Sequence, residues 1–216
     1  MLVKDAMTTN LVTIPSNTSV LEARKIMETH HVRRLPVVDK GKLVGVVTKN
    51  MTRRAAPTEA TSLSVWEINY LTAKMTVKDI MKKDPITVPA DITVECAVAT
   101  AQKQGVGALP VIEDNMVVGI LTTNDFFYKI LNPLLGVNEG GRRIIVYGAD
   151  TPDQIIRVMD VVKDEGLEIK AVHTIAFPEA ASKDLIVHLS TEDVKGVVAK
   201  IRKLGFHVDE RDHKPC

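Results

Sequence analysis

The feature that most limits what this chain can fold into is that it repeats itself. Offset by 74 positions, Val3-Lys4-Asp5-Ala6-Met7 lies over Val77-Lys78-Asp79-Ile80-Met81, and Thr13-Ile14-Pro15 over Thr87-Val88-Pro89. Leu35-Pro36-Val37-Val38 lies over Leu109-Pro110-Val111-Ile112, and Gly45-Val46-Val47-Thr48-Lys49-Asn50 over Gly119-Ile120-Leu121-Thr122-Thr123-Asn124. The register holds without a gap over roughly fifty residues, the mark of two copies of one supersecondary unit that bury their faces together.

Each copy reads β-α-β-β-α. A short strand ends at Pro15 or Pro89, and a helix follows, Ser19 to His30 or Thr93 to Gln104, with Ser19 and Thr93 as caps. Val20, Ala23, Ile26 and Met27 fall at helical spacing, as do Val94, Ala97, Val98 and Ala101. A strand after Leu35 or Leu109, a turn at Lys40-Gly41 or Asp114-Asn115, and the Gly45 or Gly119 strand complete the pattern before a closing helix. Val117, Val118, Ile120 and Leu121 read as a buried strand, with Gly119 leaving room for a second backbone.

The chemistry gathers where that strand ends. Thr122 and Asp125 face one mouth, with free backbone N–H groups and the positive end of a helix dipole, at the start of the helix-like segment Phe126 to Leu131. N–H groups and Thr122 suit a phosphate, and Asp125 suits the two hydroxyls of a ribose. The same spacing is also that of a capping box, which only starts a helix.

The double unit resembles a tandem pair of CBS domains. The resemblance rests on Val-Lys-Asp-x-Met, on the run His31-Val32-Arg33-Arg34-Leu35-Pro36-Val37-Val38-Asp39, and on the Gly-h-h-Thr-x-x-Asp ending (h, hydrophobic), and covers roughly residues 1–132. It implies two copies packed sheet against sheet, with two clefts for adenosine-containing ligands: AMP, ADP, ATP or S-adenosylmethionine. It also implies that Arg33 and Arg34 reach across a pseudo-twofold axis to the phosphates; two solvated surface arginines are the alternative. Small Gly107 and Ala108 would let an adenine lie against backbone, and Ile86, Val106 and Pro110 would wall it. Thr48 and Thr87 complete the candidate nucleotide-binding set. Each apolar member could equally be ordinary core. The copies differ at one decisive place, because Met51 stands where copy two has Asp125. A thioether cannot accept the paired hydrogen bonds of a diol, so the Asp125 cleft is expected to be the better site.

Copy one is expected over 1–55, a linker helix bearing Trp66 and Tyr70 over 56–76, and copy two over 77–132. The linker helix packs across the module or, alternatively, offers Trp66 and Tyr70 to a partner. The turn-rich Gly136 to Gly141 stretch marks a domain boundary. Beyond it, a strand Arg143 to Tyr147, a Thr151-capped helix stopped by Gly166, strands Leu167 to Phe177 and Leu185 to Ser190, a helix from Thr191-Glu192-Asp193 to Leu204 and a strand at Phe206 to Val208 spell β-α-β-β-α-β. That is the ferredoxin-like order, here over 142–213, and it resembles an ACT domain. The ACT resemblance implies a small-ligand turn at Gly148-Ala149-Asp150-Thr151; a plain dimerisation domain is the alternative. A CBS pair followed by an ACT domain resembles the acetoin utilisation proteins.

Composition excludes several classes. At 45% hydrophobic, 25% charged and net charge +1, the 216 residues suit a globular chain and give bulk electrostatics no grip on nucleic acid or membrane. Lys4 and Asp5 interrupt any signal-peptide core, Cys96 and Cys216 make no disulfide framework, and a cytoplasmic location is expected. His30-His31 are poor co-ligands, and His173, His188 and His207 lack supporting carboxylate or Cys spacing, so no metal is expected. No nucleophile elbow, phosphate-binding loop or dinucleotide fingerprint appears. The expected fold is therefore α/β, two CBS units and a ferredoxin-like ACT domain. The expected function is non-enzymatic: a regulatory homodimer with an adenosyl ligand and no catalytic cofactor, or an assembly module with vestigial clefts.

Overall fold

The computed structural model describes residues 1–55, 74–137, 139–177 and 182–212. All of the linker helix expected over 56–76 except its last three residues lies outside them. The chain forms two compact units, Met1–Phe126 and Phe127–Cys216.

The first unit holds both repeats. Copy one contains α1 (Val3–Ala6), α2 (Val20–Thr29), β1 (Arg34–Asp39), β2 (Lys42–Thr48) and α3 (Lys49–Ala55). Copy two contains α4 (Val77–Ile80), β3 (Lys82–Lys83), β4 (Val88–Pro89), α5 (Val94–Gln104), β5 (Ala108–Glu113), β6 (Met116–Thr122) and α6 (Thr123–Asp125). Ser19 and Thr93 cap α2 and α5 as expected, accepting from the N–H groups of Glu22 and Cys96. The β1–β2 and β5–β6 hairpins close through two-residue turns whose residues all have positive φ: Lys40 (49°), Gly41 (80°), Asp114 (48°) and Asn115 (63°). That is the turn whose twist matches the twist of its flanking strands.

The leading segments depart from the expected β-α-β-β-α. The Val-Lys-Asp stretches are short helices rather than plain lead-ins, and the first strand of copy one shrinks to a single bridge between Ile14 and Val37. More consequentially, each copy lends its leading segment to the other. The Val3 N–H donates to Ile92 O (2.9 Å), and the Val77 N–H donates to Thr18 O (2.8 Å), positions related by the same offset. Thr8 bridges Ile120 of β6, while β3 pairs with β2. Val77 accordingly belongs to the core of copy one, with Met27, Leu35, Val37 and Val47. A second backbone does run beside Gly119, since Thr8 exchanges both bridge hydrogen bonds with Ile120, and the Met7 side chain lies over the glycine itself; at the twin Gly45 the Met81 side chain and the Lys82 carbonyl oxygen take these places. Leu35 is fully buried in this shared core, so Leu35→Ala should cost roughly 2–5 kcal/mol, read as a drop in the denaturant midpoint at unchanged slope.

Phe126–Leu131, expected to be helical, is wound as a π-helix and followed by α7 (Asn132–Leu135). In the second unit β7 (Arg142–Val146), α8 (Pro152–Asp164), β8 (Ile169–Ile175), β9 (Asp184–Leu189), α9 (Lys195–Lys203) and β10 (Val208–Asp212) follow in the split βαβ order. The sheet runs β10-β7-β9-β8, every neighbour antiparallel. Val158, Val162, Val197, Val198 and Ile201 from the helices meet Ile144, Val146, Leu185, Val187 and Leu189 from the sheet in one core. Thr151 caps α8 in a reciprocal box with Gln154. The expected cap of α9 is displaced. Thr191 and Asp193 spend their oxygens on the N–H groups of Asp193 and Lys195, and the helix begins only at Lys195, with Val194 at its cap.

Candidate functional site

The exchange of leading segments decides which residues can share a cleft. A residue of copy two faces the lead-in of copy one, and the reverse. Two clefts result, related by the repeat but unlike in chemistry.

The first contains Asp125. A cavity of about 340 Å³ is bounded by Thr8, His31 and Val32, by the arginines Arg33 and Arg34, and by Ile120, Thr122, Asn124 and Asp125 of copy two. Its volume lies at the lower end of small-molecule sites, roughly 300–1,000 Å³. Asp125 is only 7% exposed. Its Oδ2 accepts from the Thr122 N–H (2.9 Å) and from Thr122 Oγ1 (2.6 Å), and its Oδ1 accepts from Thr8 Oγ1 (2.7 Å). The Asp125 N–H donates back to Thr122 Oγ1 at 3.3 Å. So the capping-box alternative describes a contact that is present. An ionised carboxylate is an acceptor only, so the hydroxyls of a ligand can donate to it in place of the Thr8 or Thr122 hydroxyl.

The second cleft, about 260 Å³, gathers Thr48, Met51, Ile86, Val106, Gly107 and Ala108, with Lys82 as the twin of Thr8. Met51 also packs on the copy-one core, and its N–H donates to Thr48 Oγ1 at 3.3 Å. The candidate nucleotide-binding residues divide between the two clefts. Thr122 and Asp125 stand in one cleft. Ile86, Val106, Gly107, Ala108 and Thr48 stand in the other. Thr87 lines a separate cavity beside Lys42 and Ile112, and Pro110 is buried in β5 opposite Ile120. The reason is the exchange. The lead-in of copy two, with Ile86, lies against copy one's sheet, so the apolar walls beside Asp125 are Val32 and Ile120 instead. Thr8, His31, Val32, Ile120 and Asn124 also line the Asp125 cleft and were not among the candidates; the exchange of first segments, which the repeat alone does not reveal, brings Thr8 there.

Arg34 belongs to both clefts. A side chain on Gly107 would have its Cβ 2.8 Å from Arg34 Nη2, so the guanidinium of copy one lies against the backbone of copy two. Arg33 is exposed and Arg34 half-buried. Burial, and then the charge of Arg33, pull the Arg34 guanidinium below its ordinary pKa. Among the described residues no carboxylate pairs with either arginine. Two adjacent uncompensated cations in a cleft favour an anion there. The described residues contain no cluster of three or more His, Cys, Asp or Glu side chains, and no helix long and apolar enough to cross a membrane.

The CBS-domain family model matches residues 3–55 and 77–132, which together make up half of the chain. The chain belongs to the CBS-domain family, as a tandem pair. It is 34% identical over 134 residues to an inosine-5'-monophosphate dehydrogenase of Korarchaeum cryptofilum, covering 62% of this chain and a quarter of that much longer enzyme. Among solved structures, the CBS domain pair of protein MJ0100 in complex with 5'-methylthioadenosine and S-adenosyl-L-methionine is 31% identical (TM-score 0.51), covering 61% of this chain and 97% of that one. CBSX2 of Arabidopsis thaliana, solved in complex with AMP, is 29% identical (TM-score 0.51) over 61% of this chain and 97% of its own. A protein of Vibrio cholerae assigned to acetoin utilization, AcuB, is 26% identical (TM-score 0.51) over 61% and 91%.

Proposed function

We propose that the Met1–Phe126 unit is a sensor for an adenosyl ligand, AMP or S-adenosylmethionine among the candidates, and that the protein regulates rather than catalyses. The observation that carries this is Asp125: a 7% exposed carboxylate lining a 340 Å³ cleft together with two arginines that have no carboxylate partner among the described residues. The ribose diol donates to the Asp125 carboxylate, Val32 and Ile120 face the base, and Arg33 or Arg34 meets a phosphate or carboxylate. The adenosyl ligands of MJ0100 and CBSX2 agree with this reading. The repeats act as units 1–55 and 77–132, and 142–213 as an ACT-like domain that passes the signal to a partner copy. In support of a homodimer, β8 is an edge strand with Ile169, Val172 and Ile175 exposed, and such an edge invites a second strand. A cytoplasmic role in acetoin or central carbon metabolism follows the likeness to AcuB.

A second reading has its own observation. Thr8 and Thr122 already occupy both oxygens of Asp125, as a pure scaffold would have it. Thermal unfolding separates the two. A ligand at ten times its dissociation constant should add about 1.4 kcal/mol, raising the midpoint in proportion. A midpoint indifferent to both AMP and S-adenosylmethionine at millimolar concentration leaves only the scaffold.

A further inference from the structure

Within the Met1–Phe126 unit the chain crosses from one sheet to the other in four residues. β3 pairs with β2 of copy one, β4 pairs with β5 of copy two, and Asp84, Pro85, Ile86 and Thr87 join them. Ile86 lines the Met51 cleft. Its neighbours line a different cavity, of about 460 Å³, bounded also by residues near the turns of the two hairpins. The half-buried lining is apolar: Leu43, Pro85 and Ile112. The exposed lining is polar: Lys42, Asp84, Thr87 and Asn115. Only Pro85 is shared with the Met51 cleft, and no residue is shared with the Asp125 cleft.

Two observations single this cavity out. Lys42 and Asp84 carry opposite charges and line the same space, yet they form no ion pair, and among the described residues none of the four polar side chains has a hydrogen-bond or ionic partner. The second comes from the repeat. At the offset of 74 the three apolar positions are matched by Val117, Leu11 and Val38, as the shared fold requires. The polar positions are not kept in the same way. Lys42 is matched by Met116, Asp84 by Asn10 and Asn115 by Gly41, and only Thr87 has a like partner, Thr13. The opposed charges are therefore particular to this cavity and no consequence of the repeated fold.

We propose that this cavity binds a small zwitterion, an α-amino acid with an aliphatic side chain. Lys42 takes its carboxylate, Asp84 its ammonium group, and Leu43, Pro85 and Ile112 its side chain. A lysine ammonium only donates and an ionised carboxylate only accepts, so each end of the ligand meets its complement. Thr87 and Asn115 can donate or accept beside them. A ligand of a single charge would leave the other wall unmatched, whereas a zwitterion satisfies both at once. Lys42 belongs to copy one, and Asp84 and Ile112 belong to copy two, so the bound amino acid ties the two copies together. The site shares no polar group with either cleft, and its test does not depend on the adenosyl reading.

The test is titration calorimetry on the full chain with L-leucine, L-isoleucine, L-valine and L-methionine, followed by two analogues of the tightest binder, one without the ammonium group and one without the carboxylate. The variants are Lys42→Met and Asp84→Asn, each of which brings in the residue type that the repeat has at the matching position. Asp84 has φ +47°, a conformation that asparagine also tolerates. Both side chains are exposed, so the denaturant midpoints of the variants should stay at the wild-type value. At least one of the four amino acids should bind the wild type at millimolar concentration or below. Each variant, and each analogue, should lose at least fivefold in affinity. No binding by any of the four, or equal binding by wild type and both variants, overturns the site. An analogue that binds as tightly as its parent overturns the zwitterion, and since the analogues are measured on the unaltered chain this arm stands even if a variant fails to fold.

Discussion

Replacing Asp125 by alanine should weaken the binding of AMP or S-adenosylmethionine by one to two decades, because charge-assisted hydrogen bonds are worth roughly 1.5–3 kcal/mol. The same change should destabilise the Met1–Phe126 unit. The carboxylate closes a capping box with Thr122, worth roughly 0.5–2 kcal/mol, and accepts from Thr8 across the two copies. Losing both should cost roughly 2–4 kcal/mol in total. Affinity and stability therefore fall together, and alanine alone would confuse them. Asp125→Asn separates them. The amide retains the shape, can accept from Thr122 and can donate to Thr8, so the fold should lose little, but it lacks the charge that holds a diol. Calorimetry and denaturant unfolding on all three proteins read the difference. An asparagine variant with undiminished affinity would show that the carboxylate works only for its own helix.

The largest effect on stability is expected at Gly141→Ala. Gly141 has φ +113°, a region closed to residues with a side chain, and a Cβ there would collide with the carbonyl oxygen of Leu189 on β9. The collision is with backbone, so no rotamer change relieves it. The β7–β9 ladder would have to shift at Arg142 and Leu189, and the Gly141 N–H would be drawn from Glu192 Oε1 (3.1 Å). A cost of roughly 3 kcal/mol or more falls on the Phe127–Cys216 unit, at the upper end of single substitutions. Gly140→Ala, one residue earlier and with nothing near its Cβ, is the control and should be close to neutral. Equal midpoints for the two variants would contradict this account of the turn.

Much of the fold was legible because the two periodicities and their punctuation agree. Ser19 and Thr93 announce helices, Lys40-Gly41 and Asp114-Asn115 announce hairpins, and the repeat says that whatever one copy does the other does too. What was not legible is whose sheet a segment joins. Val3 and Val77 look like members of their own copies, and nothing in a single strand of sequence says that they pack in the opposite one. That uncertainty passed into the site. Ile86 and Val106, offered as apolar walls for an adenine, line the Met51 cleft, and the exchanged lead-in brings Thr8 beside Asp125. The π-helix at Phe126–Leu131 was likewise hidden, since its apolar residues fit an α-helical spacing equally well.

The claim on which the account rests is that Asp125 grips a ribose diol. Comparing AMP with 2',3'-dideoxy-AMP by calorimetry on the unaltered chain tests it most directly, since the two ligands differ only in the hydroxyls concerned. The account predicts that AMP binds at least tenfold more tightly, the loss of one charge-assisted hydrogen bond or more. Equal affinities would contradict it.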